Sequence, residues 1–292
     1  MRRRLLAAGL LTTLTAFPSS ADWFNKADSL TFAHQKLLLG DTAGSFSAMV
    51  EAWQQNLNKE ERDNLIGLLG LALDEDCGRS LSQQPLPAWL DELSLRRERV
   101  QLASRVEYRF YIRGTANDAI NELRFTRWPG ESVVNLSLSG RTGPFEMQLD
   151  DLNAPVSEGL YKLEISSSNG ETWNSWILLQ PPKPHQRLSW VDASTWRVAK
   201  PTQLNKVCQK PVQTVGVFPM PKSDQAPVWS DERASNLPVS LPQLDVTPGQ
   251  YWLDVAFIEQ RWQGMILVEN VQRLGRVVTL PDINYMDITT PK

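Results

Sequence analysis

The sequence predicts a multidomain α + all-β chain, a small N-terminal helical bundle followed by two antiparallel β-sandwiches. Three observations carry this. Apolar residues recur at three and four up to about Leu95 and at two thereafter. Past that switch, short alternating runs return at regular intervals, separated by Gly, Pro, Asn and Asp. One segment then recurs ninety positions downstream.

The chain opens with an address. Arg2, Arg3 and Arg4 form a basic start, and Leu5 to Phe17 is an apolar stretch too short to span a bilayer. Pro18 ends it, and Ser19 and Ala21 are the small residues that precede a signal-peptidase cut. Residues 1–21 therefore read as a secretory signal peptide cleaved after Ala21, and the periplasm is the expected destination. No later run is long and apolar enough for a transmembrane helix, so none is expected in the mature chain. Lys+Arg is 30 against 33 Asp+Glu, a net charge of −3. That balance argues against nucleic acid as a partner, because neutralising phosphates needs clustered excess base.

Residues 22–95 form the helical domain. Helices are expected at about Asp28 to Leu39, along the stripe Phe46, Met49, Val50, Trp53 and Leu57, and from Lys59 to Asp76. Asp41 or Thr42 caps the second, and Gly78 ends the third. A short fourth helix is expected around Ala88 to Leu95, after Pro85 and Pro87. Asp74, Glu75 and Asp76 sit at a helix C-terminus, where the dipole disfavours carboxylates. No calcium loop follows them. His34, near Leu37 and Leu38, reads as a packed helix residue.

Residues 96–182 form the first sandwich and residues 183–292 the second, the latter with a Pro-rich insertion from Pro219 to Pro242. Val156, Gly159, Tyr161 and Leu163 reappear as Val246, Gly249, Tyr251 and Leu253. Trp173 with Ile177 and Leu178 is echoed at an offset of 89 by Trp262 with Ile266 and Leu267. This repeat implies two copies of one module. The Gly-x-Tyr-x-Leu pattern resembles the strand entry of immunoglobulin-like and fibronectin type III-like domains. In those domains a Tyr hydroxyl bonds back to the backbone at a corner. The resemblance implies two immunoglobulin-like sandwiches, with Tyr161 and Tyr251 in that role. Pro181 to Pro184 reads as a stiff linker between them.

Cys77 and Cys208 are the only cysteines. An even count in an exported chain predicts a disulfide, which would tie the head to the last module; two buried free thiols are the alternative. Two cysteines and two histidines lack the paired spacing of a structural zinc site, so no metal and no cofactor are expected.

No nucleophile elbow, zincin helix, P-loop or dinucleotide fingerprint occurs, and the expectation is a non-enzyme. Asp150 and Asp151 leave a carboxylate-based hydrolase as the weakest alternative. Alternation places Arg109, Tyr111 and Arg113 on the outer face of one strand and Arg124 and Trp128 on the next. Such a face suits sugars, carboxylates or phosphates. The alternatives are a solvated face with cross-strand Glu–Arg pairs, or cover by the acidic head. Trp128 and Trp229 are the tryptophans expected to be exposed.

The signal followed by Asp22-Trp23-Phe24, the head ending in Asp-Glu-Asp-Cys77 and the Tyr161/Tyr251 repeat together resemble an uncharacterised family of exported γ-proteobacterial proteins. That resemblance implies an envelope-stress context and carries over no catalytic residues. The expected function is a non-enzymatic accessory or adaptor of the cell envelope that binds a protein. The alternative is a module that binds peptidoglycan or another glycan.

Overall fold

The computed structural model describes residues 28–82, 84–181, 187–192, 194–199, 206–221 and 225–280. The expected signal peptide, Trp23, most of the Pro181–Pro184 linker and His185 lie outside them. Helices α1 (Ser29–Leu38), α2 (Thr42–Trp53) and α3 (Lys59–Asp76) form the head. Each starts at a side-chain cap. Asp28 accepts from the Thr31 amide, Asp41 accepts from the Gly44 amide, and Asn58 and Glu61 form a reciprocal capping box. His34 bonds Asn64 across α1 and α3 at 2.9 Å. The acid at the end of α3 has a use. The Asp76 carboxylate accepts from the amides of Gly78 (3.0 Å) and Ser80 (2.8 Å), which shapes a one-turn 3-10 helix at Arg79–Leu81. No helix among the described residues is long and apolar enough to cross a membrane.

The strands are β1 (Leu90–Gln101), β2 (Val106–Arg127), β3 (Glu131–Leu152), β4 (Gly159–Ser167), β5 (Thr172–Leu179), β6 (Leu188–Trp190), β7 (Trp196–Val198), β8 (Val212–Pro219), β9 (Trp229–Arg233), β10 (Gly249–Gln263) and β11 (Ile266–Leu280). The fourth helix expected at Ala88 to Leu95 is instead the start of β1. Leu90 and Leu93 mimic a helical spacing because the pairing with β2 shifts register between Leu90 and Glu92. A bulge inserts the extra residue that turns a step of two into a step of three.

Among the described residues, nine strands make one hydrogen-bonded sheet in the order β5–β4–β2–β1–β11–β10–β8–β9, with β3 also on β2. The expectation of two separate sandwiches gives way to this continuous sheet. The joint is the parallel pair β1–β11, from Ser94 opposite Leu267 to Gln101 opposite Leu274. The boundary expected after Leu95 falls inside β1. The internal repeat is visible as topology: β5–β4–β2–β3 and β11–β10–β8–β9 run in the same antiparallel order. The Tyr161 hydroxyl donates to the Ser157 carbonyl at 2.9 Å, and that of Tyr251 to the Thr247 carbonyl at 2.7 Å. The tryptophan echo is not structural. Trp173 lies on β5 opposite Ile165, whereas Trp262 lies on β10 opposite Leu267. The second hairpin has simply grown: β10 and β11 have 15 residues each, where β4 has 9 and β5 has 8.

Three apolar clusters hold this together. One lies inside the first half, with Phe110, Ile112, Phe125, Tyr161, Leu163 and Ile177, and reaches Ile266 and Val268 of β11. A second, in the other half, joins Val215, Val217, Leu253, Val255 and Phe257 under the small β6–β7 sheet, which supplies Leu188 and Trp196. The third is the head, where Met49, Leu65, Leu69 and Leu73 pack on Leu160 and Leu178. Alternation explains that docking. Tyr161 and Leu163 face the first core, so Leu160 on the same strand faces the helices. The head therefore covers the outer side of β4 and β5, not the Arg-rich face.

Cys77 and Cys208 form a disulfide. Next to it, the carbonyls of Cys77 and Gly78 accept from the amides of Trp262 (2.8 Å) and Gly264 (2.9 Å). Gly78 has φ +86° and lies against the Trp262 carbonyl, so a Cβ there would collide with that oxygen. The lengthened β10–β11 hairpin is thus the arm that grips the head.

Candidate functional site

The side of β2, β1, β11 and β10 that faces away from the apolar clusters carries a lattice of alternating charge. Register places Tyr111, Arg96, Glu269 and Gln260 in one row and Arg109, Glu98, Val271 and Ile258 in the next. Arg96 donates to Glu269 at 2.7 Å, and Gln260 donates to the other oxygen of Glu269 at 2.8 Å. Arg273 bonds both Glu98 and Asp254. Burial alone would lower the Arg273 guanidinium, but the charges of Asp254 and Glu98 outweigh it and hold it above the ordinary range.

The sequence-derived site residues sit in this lattice as follows. Arg109 donates to Glu107 at 3.1 Å and lies 3.7 Å from Asp150. Arg113 pairs with Glu146 and stacks over Tyr111 at 4.6 Å. Tyr111 was expected on an exposed face but is only 5% exposed, because the long side chains beside it cover the ring. Burial also raises its hydroxyl above the usual range. Arg124 pairs with Glu122 at 3.0 Å on the far half of β2, beyond the register shifts between Ala116 and Glu122. Trp128 ends that half, 39% exposed and edge-on to Trp176 at 6.1 Å. Trp229, expected to be exposed, packs against the Val215 and Leu253 cluster at the start of β9. The structure therefore unites Arg109, Tyr111 and Arg113 but separates them from Arg124, Trp128 and Trp229. The face is the cross-strand Glu–Arg arrangement, with its arginines already paired.

At one end of the lattice the surface opens into a groove of about 770 Å³. β1 overhangs the start of β11 there. Glu92 and Leu93 have a strand partner in β2, Asp91 is the extra residue of the bulge, and none of the three has a strand partner on the other edge among the described residues. Phe145, Trp262, Leu267 and Met265 supply apolar walls, and Met265 at the hairpin tip is 50% exposed. Asp91, Glu92 and the Arg113–Glu146 pair give the groove charged edges. Of these residues only Arg113 was read from sequence as a site residue, while Trp262 and Leu267 were read as part of the repeat. The rest come from three separate segments, and the one local signal was the tight turn Gln263-Gly264-Met265. A shorter groove of about 420 Å³ lies at the other end, beside Arg109, Trp252 and Arg273. Among the described residues no three His, Cys, Asp or Glu side chains gather as a metal site.

No curated protein matches the chain in sequence. Two solved structures resemble it loosely. Tp47, the 47-kilodalton lipoprotein of Treponema pallidum, is 14% identical with a TM-score of 0.31, over 65% of this chain and 52% of that one. The BSP domain of a biofilm-associated protein is 14% identical with a TM-score of 0.22, over 70% of this chain and 30% of that one. This chain thus spans about half of the first and less than a third of the second, and neither likeness is close enough to carry an argument. The family comparison is of another order, since one profile matches residues 23–279. The chain belongs to that family, the proteins of unknown function DUF2861.

Proposed function

We propose that the protein is a periplasmic, non-enzymatic adaptor of the cell envelope that holds a segment of another protein in the groove beside β1. The observation that carries this reading is the unpaired edge of Asp91, Glu92 and Leu93 inside an apolar-walled groove. A strand edge offers backbone hydrogen bonds to an extended peptide, and the flanking walls select its side chains. Glu92 and Asp91 favour a segment that carries Lys or Arg beside its apolar residues. The Cys77–Cys208 disulfide suits an oxidising compartment, in keeping with the leader-like first 21 residues. We read the two halves as diverged copies of one immunoglobulin-like module. Their common strand order and paired tyrosine bonds support this.

The glycan reading keeps less support, since it needed an exposed aromatic and Arg platform. Tyr111 is covered and Arg109, Arg113 and Arg124 are paired. A photo-crosslinking residue at Met265, in cells, tests the choice. A discrete protein adduct, lost in Glu92→Arg and absent when the crosslinker replaces Trp128, is the expected result. Sedimentation of the purified protein with peptidoglycan sacculi, abolished by Trp128→Ala, would overturn it in favour of glycan binding.

A further inference from the structure

The groove beside β1 is closed at one end. β1 and β11 run parallel, and β11 takes the lane beside β1 from Leu267, opposite Ser94, onward. Short of that point, the lane beside Leu90–Leu93 holds no strand among the described residues. The turn at Gly264 and Met265, which leads into β11, stands at its end.

That turn is a fixed stop. Gln263 donates to the Leu178 carbonyl at 2.7 Å and accepts from its amide at 3.0 Å, so its side chain stands in for a strand on the edge of β5. The Gly264 amide donates to the Gly78 carbonyl at 2.9 Å, and a Cβ on Gly264 would lie 2.6 Å from the Ser82 side chain. Arg79 stacks over the Trp262 ring at 4.3 Å. A segment that pairs with the free edge of β1 therefore meets β11 head-on. At roughly 3.3 Å per residue the lane is only about 13 Å long. A chain passing through would have to bend out of the sheet within it, whereas a chain end fits without a bend.

Charge decides which end. Arg113, level with Ser94 and Leu267, is already paired with Glu146. Both oxygens of Asp91 accept from the side-chain amide of Asn117 at 2.9 Å. The exposed carboxylate of Glu92 has no ion-pair or hydrogen-bond partner among the described residues. A carboxylate end would meet this surplus of negative charge with its one arginine taken. An α-ammonium end brings the countercharge, and with an ordinary pKa of about 7.7 to 8.0 it is mostly cationic at pH 7. Placed at the stop, it makes the segment run away from β11, antiparallel to β1. Its first side chains then lie nearest Trp262, Met265 and Leu267, which line that end of the groove.

We propose that the groove captures the free N-terminus of an extended partner segment, with the α-ammonium against Glu92 and an apolar side chain in the first two positions against Trp262 and Met265. This rests on the reading of the groove as a peptide site and narrows it from any exposed segment to a chain end.

A synthetic pool of random hexapeptides, fixed through the C-terminus and made once with free and once with acetylated N-termini, tests this with the labelled full chain at neutral pH. Binding to the free pool is expected to exceed binding to the acetylated pool by about tenfold or more, the worth of one charged hydrogen-bonding partner. Glu92→Gln keeps the shape of an exposed side chain and should remove most of that preference. Glu122→Gln, on the far half of β2, should retain it. Equal binding to both pools overturns the chain-end proposal and leaves the groove reading standing, and so does a preference that Glu92→Gln leaves intact. Binding to neither pool also overturns the proposal, and the adduct at Met265 then decides the groove reading on its own.

Discussion

Tyr161 and Tyr251 show how a single atom fixes a corner. Each ring is buried in its own half, and each hydroxyl returns to a carbonyl four residues upstream. Tyr161→Phe and Tyr251→Phe should each lower stability by about 1 kcal/mol in urea denaturation. The two effects should add, since the sites share no partner; unchanged midpoints would remove the role assigned to them. Asp41 makes a pH-dependent case. The Lys36 ammonium bond, and then the Gly44 amide, hold its carboxyl below the ordinary value of 3.8. Its contribution is present above that value and is lost as pH falls through the lower folded value. The difference in urea midpoint between the native chain and Asp41→Asn should therefore shrink in acid, and a difference constant with pH would refute the assignment. Both tyrosines and the Asp41 cap were legible in sequence because their partners lie within five residues. The partner of Arg113 was not, because its carboxylate, Glu146, lies 33 residues away on β3.

At the scale of elements, periodicity was a good guide wherever the ladder was regular. It gave α1 to α3, and it failed at Leu90–Leu95, where a bulge imitates a helical step. It also could not foresee the lengthening of β10 and β11, since length shows only against the shorter first copy. That extension carries Gln263 to the edge of β5. Gln263→Leu keeps the volume and removes both bonds, so the amide and carbonyl of Leu178 would be buried without partners. The expected cost is about 2 to 4 kcal/mol, as two groups lose their partners at once. Hydrogen exchange at the Leu178 amide should accelerate with it. Unaltered protection there would mean that another group seals this edge.

For the molecule as a whole, the head, the first half and the second half are tied by three devices: the parallel β1–β11 pair, the hairpin arm and the disulfide. Composition and periodicity foretold a helical head followed by β-structure. They could not foretell the joint, because nothing in Leu90–Gln101 marks its neighbour as a strand from the far end of the chain. The Cys77–Cys208 bridge closes a loop with a sequence separation of 131. Chain entropy makes such a bridge worth up to about 5 kcal/mol. Reduction, or the double change Cys77→Ser/Cys208→Ser, should lower the unfolding midpoint and open the Lys206–Cys208 stretch to limited proteolysis. Equal stability with and without reductant would show that the hairpin arm alone secures the head.

The pairing of β1 with β11 also sets an order of events in time. Arg96 and Glu269, bonded across it, are 173 positions apart. A strand made early must wait with one edge open until the last strand exists. Contacts of such high sequence separation slow folding, and an open edge invites pairing with the wrong chain. A chain that emerges N-terminus first, from a ribosome or through a membrane pore, cannot close this pair until the stretch around Glu269 has arrived.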